Sequence, residues 1–114
     1  MTPLDRYRKH YMMFDYWNGE LVDALQSQSL NPKRYKQASS ESLAELRTLQ
    51  GLLAEAVGAR MAPLLEERAK IDDQLQHGIL TPVQAGGMAR TLESQERQIH
   101  REFFWRDVEE HLKE

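Results

Sequence analysis

Leu4, Tyr7, Tyr11, Phe14, Asn18, Leu21 and Leu25 follow one another at alternating steps of three and four residues. A helix brings such positions onto one stripe, because about 3.6 residues complete each turn. A strand would scatter them over both of its faces. The row therefore predicts a first helix over residues 3–26 with one polar residue, Asn18, set into an apolar seam. Met13, Tyr16 and Trp17 form a second apolar edge beside it, and the combined arc is wider than a single packing seam requires.

The helix has a strong start signal. Thr2 supplies a capping hydroxyl, Pro3 occupies the first helical position where a missing N–H costs nothing, and Asp5 is placed to reach back. Thr81, Pro82 and Gln84 repeat this grammar and predict a last helix over 82–112. Its apolar track runs through Met88, Leu92, Ile99 and Phe103, with Phe104, Trp105, Val108 and Leu112 alongside. Between these two lie a linker over 27–40, a helix over 41–61 opening on a Ser42/Glu45 capping box, and a segment over 63–77. Pro63 kinks the chain or begins a new helix, since an interior proline removes a ladder donor. In the third segment Leu64, Ile71 and Leu75 face inward, while Glu66, Glu67, Arg68, Lys70, Asp72 and Asp73 face outward. Gly78 caps its end, and Ile79 or Leu80 folds back over the last turn. Leu, Ala, Glu, Gln and Arg dominate throughout, and Val and Ile are scarce, so strands are favoured nowhere. The fold class predicted is all-α: one domain, a small bundle of about four helices with a long C-terminal helix, dimeric.

Dimerisation is expected from length. A helix of about 30 residues spans about 45 Å, whereas a domain of this size has a radius of gyration of about 13 Å. The far end of the last helix should overhang its own core with its aromatic residues exposed, and a second copy is the simplest cover. Apart from Tyr35, the aromatics fall into two groups, Tyr7 to Trp17 and Phe103 to Trp105. Core packing is one use for them. The other is protein binding, for which Tyr7, Tyr11, Phe14, Trp17, Phe103, Phe104 and Trp105 are the candidates.

Chemistry is hard to find. The sequence holds no cysteine, so disulfides, thiolate metal sites and thiol catalysis are excluded and a cytoplasmic setting is expected. Glu96 with His100, and Asp107 with His111, sit one helical turn apart, but neither pair belongs to a recognisable ligand motif. They read as surface pairs, with no metal or cofactor expected. The serines stand where linkers and caps want them, Gly86-Gly87 lacks a phosphate loop's spacing, and the carboxylate pairs lie on polar faces. No catalytic residue, small-molecule substrate or membrane span is expected. The 15 Lys and Arg are outnumbered by 18 Asp and Glu, which disfavours a nucleic-acid partner. Arg6, Arg8 and Lys9, with the Lys33, Arg34 and Lys36 cluster, keep a nucleic-acid-binding accessory role as an alternative. The preferred expectation is a non-enzymatic regulator that sequesters a partner protein, such as a transcription activator. A structural homo-oligomer or a secretion-type chaperone is the remaining alternative.

Overall fold

A computed structural model describes residues 1–114, and all of its regular structure is helical. Four long helices, α1 (Pro3–Gln26), α2 (Pro32–Leu52), α3 (Glu55–His77) and α4 (Pro82–Glu102), are followed by a short α5 (Trp105–Val108) and a 3₁₀ turn at Glu109–His111. Side-chain pairs fix the directions. Tyr7 meets Phe103, and Gln26 meets Glu93, so α1 and α4 are antiparallel. His10 meets Glu45, and Arg34 meets Glu20, so α1 and α2 are antiparallel too. α1 thus packs between α2 and α4, with α3 against α2.

Three helices begin with the same device. Thr2-Pro3 and Thr81-Pro82 form the reciprocal capping boxes expected of them, and Asn31-Pro32 is a third cap followed by proline, Asn31 accepting from the Arg34 N–H. The stretch 27–40 is therefore mostly helix rather than linker. Its apolar residues are few, but Tyr35 and Ala38 are buried and α2 needs no more than these to dock its first turns. Ser42 is not a cap. It lies buried in mid-helix and donates back to the Ser39 carbonyl.

Further along, the break expected at Pro63 falls at Leu53 and Ala54 instead. α3 runs through Pro63, which sits on the exposed side, where the lost N–H leaves a carbonyl that water can satisfy. At the α2–α3 corner, Gly58 allows the close approach of α2's end: a Cβ there would stand 3.2 Å from the Gln50 carbonyl oxygen. Gly78 does cap α3, with its N–H on the Gln74 carbonyl, and Leu80 rather than the fully exposed Ile79 covers the end.

The largest departure concerns the C-terminal helix. α4 stops at Glu102, and the chain turns off its axis at Phe103 and Phe104, whose backbone leaves the helical region. The buried Tyr7 hydroxyl donates to the Phe103 carbonyl at 2.7 Å, replacing the helical bond that oxygen would otherwise accept. The tail then crosses the α2–α3 corner, where the Ala54 N–H donates to the His111 carbonyl and the Lys113 N–H to the Leu52 carbonyl. Leu112 pairs there with buried Leu53. No overhang exists, so the length argument for a second copy falls away. The molecule measures 43 × 24 × 21 Å.

The interior has two apolar clusters stacked end to end. One gathers Tyr7, Tyr11, Phe14, Leu46, Leu49, Met61, Ile99, Phe103 and Val108 beneath the tail. The other gathers Leu21, Leu25, Tyr35, Ile71, Leu75, Ala85, Ala89 and Leu92 near the α1–α2 and α3–α4 turns. Between them lies a polar layer with one residue from each long helix: Asn18, Ser42, Arg68 and Gln95, all buried.

Candidate functional site

Arg68 is the hub of that layer. The sequence placed it outward, yet it is wholly buried. Its Nε donates to Gln95 Oε1 at 2.9 Å, Nη1 to Ser42 Oγ at 3.1 Å and Nη2 to Asn18 Oδ1, while its guanidinium lies over the Phe14 ring. Two amides carry the charge outward. Gln95 Nε2 donates to Glu67, and Asn18 Nδ2 donates to Glu96, so the buried cation faces two carboxylates, each through one intervening side chain. Burial presses the Arg68 pKa down to about 10, against the opposing pull of Glu96, Glu67 and Asp72, and the group stays protonated at neutral pH. No buried side-chain nitrogen or oxygen lacks a hydrogen-bond partner. The layer is thus satisfied and closed to solvent, an arrangement suited to fixing helix register rather than to handling a ligand.

The aromatic candidates separate into two groups. Tyr7, Tyr11, Phe14 and Phe103 are buried in the protomer and fill its core. The Tyr7 and Tyr11 hydroxyls are pushed up from the ordinary phenol range, both mainly by burial. Trp17, Phe104 and Trp105 are half-buried. Trp105 stacks on Phe104 and lies between the Arg8 and Arg106 guanidiniums, at 4.3 and 5.1 Å from its ring centre.

What remains open on α1 is its outward ridge. Asp5, Lys9, Met12, Tyr16 and Gly19 succeed one another at helical spacing on the side away from α2 and α4. Met12 and Tyr16, one turn apart, are 66% and 60% exposed. Tyr16 also packs edge-on against Trp17, which ties the ridge to the half-buried flank. Ahead of it nothing crowds Gly19, where an added Cβ would meet no atom within 4 Å. Sequence reasoning placed Tyr16 on an apolar edge and passed over Met12. The signal was present in the phase of the helix, since Met12 lies opposite the Tyr7–Leu25 seam.

The basic candidates do not converge. Arg6, Arg8 and Lys9 are exposed near the start of α1, and Lys33 and Arg34 are exposed beside its end, with Lys36 half-buried. Residues 8 and 26 of one helix are about 27 Å apart. Arg34 is paired with Glu20 at 3.4 Å and Arg8 is engaged on Trp105, so no continuous basic face forms.

Of the two acid–histidine pairs, Asp107 and His111 fall in different short elements, while Glu96 and His100 share α4 and gain a third member from α1. His100 Nε2 lies 2.7 Å from Asp15 Oδ1 and 3.8 Å from Glu96 Oε1. The Tyr11 ring packs against the imidazole, with ring centres 5.6 Å apart.

No helix is long and apolar enough to cross a membrane. Comparison with protein-family models, with curated proteins and with solved structures finds no match.

Proposed function

We propose that this chain is a non-enzymatic, cytoplasmic protein-binding regulator, which sequesters a partner by receiving an amphipathic helix along the outer ridge of α1. The observation that carries the reading is the exposure of Met12 and Tyr16 side by side at the middle of a helix that packs its other apolar residues on α2 and α4. Scattered apolar residues are ordinary on a surface, but two adjacent ones framed by charge resemble the core and rim of an interface. Lys9 on one side and Glu20 and Asp23 on the other supply a rim of mixed sign. A tyrosine and a methionine are apt anchors, being large, adaptable and polar at one point only. Gly19 lets a partner backbone come near.

In this reading the four long helices are a rigid bundle that presents α1, and in the absence of the partner a second copy covers the same ridge as a homodimer. The partner class that fits is a protein, such as a transcription activator, whose own oligomerisation uses an amphipathic helix that can lay its apolar face here instead. Sedimentation equilibrium tests the self-associating form. Wild type is expected to dimerise, and Met12→Glu with Tyr16→Glu to give a folded monomer. A wild-type monomer up to millimolar concentration would remove the dimer. Unchanged association in the double variant would move the interface elsewhere.

A further inference from the structure

The fold brings Asp15 of α1 to a pair on α4 that the sequence showed only as Glu96 and His100. We infer that Asp15, Glu96 and His100 form a binding site for a divalent transition-metal ion of the zinc class, bridging α1 and α4; it stands independently of the ridge described above.

Three observations support it. First, the ligand atoms converge: one oxygen from each carboxylate and the imidazole Nε2 lie within 4.8 Å of one another. Ligands about 2.0–2.1 Å from a tetrahedral zinc ion stand about 3.4 Å from each other, and the separations of 2.7 and 3.8 Å at His100 Nε2 bracket that value. Side-chain shifts of about 0.7 and about 0.4 Å would bring both to it. Second, two of the three ligands are held from behind. Glu96 Oε2 accepts a hydrogen bond from Asn18 Nδ2 at 3.2 Å, leaving Oε1 turned to the histidine, and Asn18 is itself fixed by Arg68. The Tyr11 ring supports the imidazole. Outer partners of this kind orient metal ligands and sharpen affinity. Third, the charges are complementary. Two carboxylates meet at one imidazole, and one divalent ion balances their two negative charges.

The ligand set also selects the ion. A nitrogen donor with only two carboxylates favours zinc, cobalt or nickel over calcium and magnesium, which take six or more oxygens. The site is partly open, so water would complete the coordination. Because α1 and α4 are joined in sequence only through α2 and α3, an ion here acts as a clasp between the first and last long helices.

Calorimetric titration of the chelator-treated full chain with Zn²⁺ is expected to show one ion per chain, and Co²⁺ to give the visible ligand-field bands of a low-coordinate site. Asp15→Asn and His100→Ala, with wild-type circular dichroism, should each weaken binding by at least about tenfold. His77→Ala, which removes an exposed histidine far along the chain, should leave it unchanged. Absence of binding at millimolar Zn²⁺, or wild-type affinity in His100→Ala, would overturn the assignment. An equal loss in His77→Ala would reduce the binding to unspecific surface histidines and overturn it as well.

Discussion

Arg68 and Asn18, fifty residues apart in the chain, are joined by a hydrogen bond from Nη2 to Oδ1 at a point where neither side chain has any exposure to solvent. This contact, with those to Ser42 and Gln95, makes one level of the interior polar and divides the apolar packing in two. A buried cation is expensive unless every donor and acceptor around it is engaged, and here they are. The layer fixes how far each helix slides along its neighbours, because any slip would strand at least one polar group among leucines.

Removing the hub should therefore cost far more than removing a surface charge. Arg68→Ala is expected to lower the unfolding free energy by about 3–5 kcal/mol, measured by urea denaturation. Combining Arg68→Met with Asn18→Leu and Gln95→Leu should recover most of that loss by making the layer apolar. A loss below about 1 kcal/mol for Arg68→Ala would show that the guanidinium is not structural.

Alkaline unfolding reports on the two buried tyrosines. Burial pushes both hydroxyls above the ordinary phenol range, so above about pH 10 the unfolded chain releases phenolic protons that the folded chain keeps. The unfolded state then binds fewer protons, and stability falls as pH rises. Arg68, depressed by burial to about 10 from the ordinary guanidinium range, acts in the opposite direction over that interval, but it is one group against two. Tyr7→Phe should cost about 1–2 kcal/mol at neutral pH through the lost bond to Phe103, yet show a shallower decline above pH 10. A decline as steep as wild type would separate Tyr7 from the effect.

The tail is a clasp on the α2–α3 corner. Deleting residues 109–114 removes the carbonyl that accepts the Ala54 N–H at 2.6 Å and the N–H that Lys113 gives to Leu52. Hydrogen exchange at Ala54 is expected to accelerate by at least about tenfold in the truncated chain, with the amides of α4 unaffected. Uniform acceleration throughout would mean that the tail stabilises the whole molecule rather than the corner.

Pro63 interrupts the ladder of α3 at an exposed position. Pro63→Ala restores a donor for the Ala59 carbonyl and should raise stability by about 1–3 kcal/mol in thermal unfolding. A fall would show that the proline shapes the helix in a way the packing needs.

Much of this fold is written in spacing. The seam from Tyr7 to Leu25, with Asn18 as its one polar member, is buried as its periodicity predicts, and both Thr-Pro boxes open helices. Arg68 was illegible to a reading that sorts charge outward, although Met61, Leu64, Arg68, Ile71 and Leu75 step by three and four like any seam. The same phase places Ser42 and Gln95 inward. Four seams that each carry a buried polar residue at the same level are a pattern visible only when the helices are compared with one another. The break at Phe103 left no local mark, because the group that takes up its freed carbonyl is the Tyr7 hydroxyl at the other end of the chain. The Asp15 partner of His100 was hidden for the same reason: proximity across elements is a tertiary fact.

The most direct test of the account is photo-crosslinking from the α1 ridge in cells of the natural host, with a benzophenone amino acid replacing Tyr16 and, as control, exposed Glu66 on α3. The account predicts a discrete adduct from position 16, either to a second copy or to one foreign protein, and none from position 66. No adduct at position 16, or the same adducts from both positions, would contradict it.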